Sequence, residues 1–142
     1  MSRPRVLVID AGLGNIGSVV SALQRHDCAV ERVHQPPSAA SACDYTHAVL
    51  PGVGSFAAGV EVLRASGWAL WIKEVWCKDD RPFLGICLGM QLFFETSEEG
   101  EITDGLGLMK GKIKSFPKSI DFRVPHLGWS KVIFDEKDEE AI

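Results

Sequence analysis

Short apolar segments that resemble strands alternate with helical patterns over the first 95 residues of the chain. Strands are predicted at 5–10, 28–33, 47–51 and 82–87, where apolar residues run together as in RVLVID and PFLGIC. Between and after them, apolar residues recur at helical spacing over 16–26, 56–65, 68–75 and 88–95. This alternation, with short links, predicts an α/β fold with a mostly parallel, open sheet and helices on both faces.

The pattern changes after residue 100. The segment GLGLMKGKIKSF (105–116) alternates as antiparallel strands do, and VPHLGWSKVIF (124–134) is predicted to be a turn and another strand. The final DEKDEEAI is charged and unpatterned. A chain of 142 residues, 46% of them apolar, can bury one sizeable core. We therefore expect residues 1–142 to form a single domain in which antiparallel strands follow the parallel sheet.

Charge and cysteine usage narrow the class of function. The net charge of −4 argues against a broad nucleic-acid footprint, and no apolar run is long enough to span a bilayer. None of the four cysteines forms a CxxC pair, which disfavours a zinc site, and no secretory signal accompanies them. We expect reduced thiols in a cytoplasmic protein, with no metal and no cofactor.

The stretch IDAGLGNIG (9–17) carries Gly12, Gly14 and Gly17 in the GxGxxG spacing of dinucleotide-binding proteins. Asp10 argues against that interpretation, because its carboxylate would lie where a pyrophosphate must bind. The alternative is a tight turn after the first strand, with Asn15 starting a helix and Gly17 letting that helix approach the sheet.

GICLG, residues 85 to 89, is the strongest local indication of chemistry. It has the pattern of a nucleophile elbow, with Cys87 at a sharp turn between a strand and a helix. Bulky side chains two residues to either side would clash, so Gly85 and Gly89 fit the pattern. The N-terminus of the following helix favours the thiolate, and the Leu88 N–H can bind an oxyanion.

A second loop, LPGVGSF (50–56), follows the third predicted strand. Ligands of open α/β sheets bind at the carboxyl ends of the strands, where this loop and Cys87 would both lie. An N–H group of this loop could be the second donor of an oxyanion hole, although Pro-Gly is also common in ordinary turns. One nucleophile between two such loops suggests acyl transfer through a thioester.

The segments VLPGVGSFAAGV and PFLGICLGMQLFFETSEEG together resemble the class I (triad) glutamine amidotransferases, whose core is flavodoxin-like. With DAGLGNIGSVVSAL and VPHLGWSKV added, the chain is most similar to the glutaminase subunits of imidazole glycerol phosphate synthases. The four motifs occur in the order found in that family and cover most of the chain. The resemblance implies hydrolysis of glutamine to glutamate and ammonia, with the ammonia passed to a cyclase subunit in histidine biosynthesis.

The resemblance also implies roles for individual residues. Cys87 matches the nucleophile, and Leu88 and Val53 match the residues whose backbone N–H groups form the oxyanion hole. Gly52 and Gln91 match positions that help to hold the glutamine substrate.

The same resemblance implies a face that meets the cyclase subunit of a heterodimer. Asn15, Leu127 and Trp129 match positions near that face. No cofactor, metal ion, nucleic acid or membrane is implied.

One part of the family pattern is missing from these 142 residues. Members carry a His-x-Glu pair, in which the histidine is the general base, and none of the four histidines here lies in such a pair. His126, in VPHLGW, fits a loop or interface residue better than a substitute base. The resemblance therefore implies that residues 1–142 are a truncated, incomplete amidotransferase domain. We expect this chain to have little or no glutaminase activity, and the missing strands to leave an unpaired sheet edge that favours association.

Two alternatives remain open at this point. The chain could be a non-catalytic module that binds a cyclase partner, which suits the preserved VPHLGW and the missing base. It could also be a paralogous glutaminase that serves the amidation of surface sugars, because Ser130 stands where the histidine-pathway family usually has asparagine.

Overall fold

The computed structural model describes residues 3–117, 128–131 and 133. Its four long strands are β1 (Arg5–Ile9), β2 (Ala29–Val33), β3 (His47–Gly52) and β4 (Phe83–Cys87). The helices are α1 (Ile16–Gln24), α2 (Ala39–Ala42), α3 (Phe56–Ala65), α4 (Trp68–Trp71) and α5 (Leu88–Gln91). A π-helical turn (Ile72–Trp76) and a 3-10 turn (Cys77–Asp79) extend α4. Three two-residue strands follow, β5 (Thr96–Ser97), β6 (Thr103–Asp104) and β7 (Lys112–Ile113).

The four long strands form one parallel sheet in the order β2-β1-β3-β4. Every strand therefore ends at the same edge, and that edge carries both predicted functional loops. The predicted α/β fold is confirmed, because each of the four strands lies within two residues of its predicted bounds. Helix α3 has the bounds expected from its periodicity, and α1 ends two residues early.

Alternate side chains of the strands pack into two cores on opposite faces of the sheet. On one face, Leu7, Ile9 and Leu50 contact α3, α5 and the tryptophan-rich helical segment. On the other, Val6 and Val8 pack against α1. This division explains why the strands are continuous apolar runs, since both faces are covered.

Trp68, Trp71 and Trp76 lie in the first core, with exposed fractions of 0%, 6% and 0%. The rings of Trp68 and Trp71 meet edge to face at 5.2 Å, and those of Trp71 and Trp76 stack at 5.8 Å. Their burial and ring contacts make these three tryptophans part of the core.

The prediction of a helix over 88–95 was too long, because α5 ends at Gln91. Residues 105–109 fold back onto the segment that follows α5. The Leu106 N–H donates to the Leu92 carbonyl at 2.8 Å, and the Leu108 N–H donates to the Phe93 carbonyl at 2.8 Å. These carbonyls are thus satisfied by tertiary contacts rather than by a further helical turn, and Leu106 is buried beside them.

The prediction of antiparallel strands over 105–116 was wrong in extent and in pairing, because the one strand there, β7, is parallel to its partner β5. Residues 105–109 bond to the 92–95 segment, so only Lys112–Ile113 of that stretch is a strand. The small sheet has the order β6-β5-β7, with β5 antiparallel to β6 and parallel to β7. The turn and strand predicted within 124–134 lie mostly outside the described residues, and the five described residues of that stretch are not in a strand.

Within the residues that the structure describes, no helix combines the length and the apolar character needed to cross a bilayer.

Candidate active site

Cys87 is the last residue of β4 and directly precedes α5. Its backbone has φ 55° and ψ −117°, a conformation that is strained for a residue with a side chain. The residue is exposed and its thiol is free. The structure thus places a solvent-accessible sulfur at a sharp strand-to-helix turn, which is the geometry expected of a nucleophile elbow.

The two glycines of GICLG are required by the close packing of this turn. A Cβ atom on Gly85 would lie 2.5 Å from the Cα of Met90, and one on Gly89 would collide with the carbonyl group of Leu50. Both contacts are with backbone, which cannot move aside as a flexible side chain can. The steric reason inferred for this glycine spacing therefore holds in the folded chain.

Gly52 lies beside the nucleophile. It is the register partner of Cys87 in the β3–β4 ladder, and a Cβ on Gly52 would lie 3.0 Å from the Gly89 nitrogen. The LPGVGSF loop and the cysteine turn are therefore in direct contact at one edge of the sheet. The structure brings together the two loops that the sequence placed there.

The Val53 N–H donates a hydrogen bond of 2.7 Å to the Leu13 carbonyl of the β1–α1 loop. The loops also touch through Gly14, where a Cβ atom would lie 2.6 Å from the Val53 Cγ2. One of the two backbone donors expected for an oxyanion hole is thus engaged elsewhere in this conformation.

The other predicted substrate-site residues belong to α5. Leu88 is its first residue and has a buried side chain, while Gln91 is its last and is partly buried. Because α5 follows Cys87 directly, the Leu88 N–H is one of the first-turn groups that lack a partner inside the helix.

The structure describes two of the three residues predicted to lie near a partner. Asn15 is the residue before α1, and its side chain makes no capping hydrogen bond. The Trp129 side chain is fully exposed. Leu127 lies outside the described residues.

The β1–α1 loop carries a polar cluster that the sequence did not reveal. The side chain of Asp10 is only 5% exposed, and its Oδ1 accepts the Gly12 N–H at 3.1 Å. Its Oδ2 accepts the Arg32 Nε and lies 3.1 Å from the His34 Nδ1. With its N–H occupied by Asp10, the Gly12 backbone is not free to bind a phosphate, which agrees with the rejection of a dinucleotide site.

The pKa of Asp10 reflects these neighbours. Burial alone would raise it, but the hydrogen bonds from Arg32 and Gly12 and the charges of Arg32 and His34 lower it below 3.8. A carboxylate held in this way remains ionised at neutral pH. No local motif pointed to this cluster, because Arg32 and Asp10 are 22 residues apart in the chain.

Glu99 is a second polar neighbour of the site that the sequence did not reveal. Its Oε2 accepts the Phe56 N–H at 3.1 Å, at the first residue of α3. Ser55 caps the same helix through the Ala58 N–H. These contacts hold the end of the LPGVGSF loop in place, and a carboxylate at a helix N-terminus is electrostatically favourable.

The three described histidines lie away from Cys87. His34 follows β2, and the sheet order puts it three strand spacings, or about 14 Å, from β4. His47 begins β3 at the opposite edge and bonds Thr46 at 2.8 Å, and His26 precedes β2 at that same edge. None of these is in position to act as a base for Cys87, and His126 lies outside the described residues.

Cys28, Cys43 and Cys77 have free thiols, as Cys87 does. Burial and the charge of Asp80 raise the pKa of Cys77, which disfavours its thiolate. Over the described part of the chain, no three His, Cys, Asp or Glu residues form a group that could hold a metal ion.

Comparison with known proteins gives a consistent family. Residues 7–141 match the family model described as glutamine amidotransferase class-I. The imidazole glycerol phosphate synthase subunit HisH 1 of Prochlorococcus marinus (strain MIT 9313) is 51% identical over 131 residues, which are 89% of this chain and 60% of that protein. The HisH subunit of Halalkalibacterium halodurans is 40% identical over 131 residues, covering 89% and 59%.

A plant protein is also similar. The chloroplastic imidazole glycerol phosphate synthase hisHF of Arabidopsis thaliana is 41% identical over 140 residues, which are 96% of this chain and 22% of that protein. The chain spans about 60% of the length of the bacterial relatives it matches.

Proposed function

The chain belongs to the class I glutamine amidotransferase family, and we propose that it carries the thiol of a glutaminase that releases ammonia from glutamine. The observation that carries this proposal is the exposed Cys87 in a strained turn, paired in register with Gly52 of the neighbouring loop. Family membership supplies the reaction class, and this turn supplies an accessible nucleophile.

In the proposed reaction, the Cys87 thiolate attacks the carbonyl carbon of the glutamine side-chain amide. A C–S bond forms and the amide oxygen takes the negative charge. When the oxyanion collapses, the C–N bond breaks, and the nitrogen leaves as ammonia after taking a proton. Water then hydrolyses the thioester, which returns the Cys87 thiol and releases glutamate.

We assign stabilisation of the oxyanion to the backbone N–H groups of Leu88 and Val53. The Leu88 N–H follows the nucleophile directly, at the start of α5. The Val53 N–H first has to exchange the Leu13 carbonyl, 2.7 Å away, for the oxyanion. Removing one such donor commonly lowers the rate about 10²–10³-fold, so this exchange would strongly affect turnover.

Gly52 and Gln91 are our candidates for contacts with the glutamine substrate. Gly52 leaves room beside Cys87 because it lacks a side chain, and Gln91 lies three residues beyond the start of α5. An amide side chain can both donate to and accept from the polar groups of an amino acid.

We propose that the ammonia passes to a cyclase subunit in histidine biosynthesis, with which the chain forms a heterodimer. The relatives named as subunits of imidazole glycerol phosphate synthase support this choice. Asn15, Leu127 and Trp129 are the proposed partner contacts, and the full exposure of Trp129 is compatible with docking.

We also propose that a polypeptide of these 142 residues turns glutamine over slowly. Its sequence contains no His-x-Glu pair, and its described histidines lie away from Cys87. General acid–base catalysis contributes about 10²–10⁴ in rate, and the leaving ammonia requires a proton.

A glutamine-like chloroketone tests the proposed nucleophile. We expect it to alkylate Cys87 in the 142-residue polypeptide, and glutamine to protect the thiol. Cys43 is the matched control, because it is also an exposed free cysteine but precedes β3 at the opposite edge of the sheet. Peptide mass spectrometry of the wild type, Cys87→Ala and Cys43→Ala identifies the labelled site.

Equal labelling of Cys43 and Cys87, or labelling of Cys87 that glutamine does not slow, would contradict the assignment. Ammonia release measured on the same samples tests the slow turnover. A rate close to that of complete homologues, abolished by Cys87→Ala, would overturn that part of the proposal.

A further inference from the structure

We propose that Asp10 is a positioning residue for the oxyanion hole, acting together with Arg32 and His34. The three side chains form a clamp that holds the β1–α1 loop against Val53 and keeps the Val53 N–H on the Leu13 carbonyl. This inference rests on the proposed glutaminase function, and it assigns a role to residues that touch neither the substrate nor Cys87.

The clamp is built around a buried carboxylate whose two oxygens are both occupied. Oδ1 accepts the Gly12 N–H at 3.1 Å, and Oδ2 meets the Arg32 Nε and the His34 Nδ1. The His34 Nδ1 lies within ion-pair distance of Oδ2, so a charged imidazole adds electrostatic attraction there. The Asp10 N–H also donates to the Val33 carbonyl at 2.9 Å. Asp10 thus ties the end of β2 to the start of the glycine loop.

The β1–α1 loop, which is anchored at Asp10, contacts Val53 directly. Leu13 lies three residues beyond Asp10 and is buried, with an exposed fraction of 8%. Its carbonyl accepts the Val53 N–H at 2.7 Å, and Gly14 packs on the Val53 side chain. A loop anchored at Asp10 and Gly12 has little freedom to withdraw Leu13, so the anchor sets how often the Val53 N–H is released.

Charged hydrogen bonds are the main interactions that stabilise the clamp. Hydrogen bonds to ionised groups are about twice as strong as neutral ones, and they gain further when one partner is buried. Losing the Asp10 carboxylate would free the loop and leave the Arg32 and His34 side chains, 52% and 68% exposed, to water. The β1–α1 loop would then open more often while both hydrophobic cores remained packed.

Amide hydrogen exchange of the 142-residue polypeptide, followed by NMR at single residues, tests the clamp. In Asp10→Ala we expect the Val53 amide to exchange about tenfold faster, while the amide of Leu7, inside β1, is unchanged. The double variant Arg32→Met, His34→Gln should also accelerate the exchange of the Val53 amide. It alters only exposed side chains, so it carries the test if Asp10→Ala does not fold.

Asp27→Ala is the matched control, because it removes the exposed Arg3–Asp27 ion pair of 3.3 Å at the other edge of the sheet. We expect no change at Val53 in this variant. An unchanged Val53 amide in the clamp variants, or one that accelerates only as much as Leu7, would overturn the proposal, since the clamp would then serve global stability alone.

A second measurement links the loop to the oxyanion hole. Acetaldehyde adds to a thiolate at its carbonyl carbon and forms a tetrahedral oxyanion, whereas iodoacetamide alkylates the thiolate by direct displacement of iodide. The ratio of the acetaldehyde association constant to the iodoacetamide alkylation rate at Cys87 therefore reports on the hole. We expect this ratio to rise in the clamp variants. A faster Val53 amide with an unchanged ratio would show that the clamp holds the loop without positioning the hole, and would also overturn the proposal.

The two proposals can fail separately. Amide exchange does not depend on glutamine chemistry, so the clamp can be verified even if glutamine fails to protect Cys87 from the glutamine-like chloroketone. Conversely, specific labelling of Cys87, together with an unchanged exchange rate of the Val53 amide in the clamp variants, would support the glutaminase and reject the clamp.

Discussion

At the scale of single residues, Tyr45 shows how placement changes the chemistry of a side chain. It is the one tyrosine of the chain, is 8% exposed, and has the Arg5 guanidinium 5.4 Å from its ring centre. Burial, followed by the hydrogen bond and the charge of Glu31, raises the pKa of Tyr45 to about 12. The phenol is therefore held neutral well above the pH at which an unfolded tyrosine ionises.

This shift predicts a loss of stability at alkaline pH. The pKa of Tyr45 is about 12 in the folded chain and about 10 when unfolded. Its contribution to the free energy of unfolding is thus complete below pH ~10 and falls as the pH rises towards ~12. Tyr45→Phe should remove this part of the pH dependence, as measured by denaturant unfolding across that range.

The single tyrosine also allows a direct titration by ultraviolet absorbance. We expect a midpoint near 12 in the folded protein and near 10 in denaturant. A folded midpoint near 10, or equal pH dependence in the wild type and Tyr45→Phe, would show that burial and Glu31 do not act as described.

At the scale of elements, two glycines with similar sequence settings have different structural roles. Gly89 lies at the start of α5, where a Cβ atom would collide with the Leu50 carbonyl. Gly17 lies in the first turn of α1, where the nearest atom to a Cβ would be the Asn15 Oδ1 at 3.5 Å. The expectation that Gly17 brings α1 close to the sheet was wrong, because its missing side chain would face no sheet atom within 4 Å.

The two positions therefore predict opposite effects of alanine. Gly17→Ala should raise the free energy of unfolding by about 0.5–1 kcal/mol, because alanine loses less backbone entropy in a helix. Gly89→Ala should lower it by about 1–3 kcal/mol or prevent folding, because overpacking against backbone cannot relax. Denaturant unfolding of the two variants checks this, and a loss of stability in Gly17→Ala would contradict the packing described for α1.

At the scale of the whole molecule, the sheet order makes β4 an edge strand of the described sheet, with a strand on one side only. The other edge strand, β2, carries Glu31 and Arg32, and such charges discourage pairing with a second chain. Strand β4 has the sequence FLGIC, without a charge, and its Leu84 is 54% exposed. Within the described residues β4 pairs with β3 alone.

This edge predicts self-association of the 142-residue polypeptide that Leu84→Lys reduces. A charged side chain on an edge strand opposes pairing with another chain, and Leu84 contributes little to either core. Sedimentation velocity over a range of concentrations measures the effect. Leu70→Lys, on α4, is the matched control, because Leu70 is a leucine 67% exposed outside the sheet.

We expect Leu70→Lys to associate like the wild type. Equal reduction of association by both variants would point to general charge repulsion instead of pairing at β4, and a monomeric wild type would exclude the edge as a site of association.

The sequence by itself determined the parallel α/β core and the turn at Cys87. Both follow from local signals: apolar runs of strand length, helical periodicity, and glycines two residues either side of a cysteine. Such signals survive in the fold because each strand buries both faces and each helix buries one stripe. The same reasoning placed the LPGVGSF loop and Cys87 at one edge, since parallel strands share their carboxyl ends.

Only the tertiary structure decided what surrounds the cysteine turn. The end of α5 depends on residues 105–109 folding back, and the state of the Val53 N–H depends on Leu13, 40 residues earlier. The acceptor for the first N–H of α3 is Glu99, 43 residues beyond Phe56. Hydrogen-bond partners so distant in sequence leave no periodic pattern, because they are chosen by the distance and direction of groups in the folded chain.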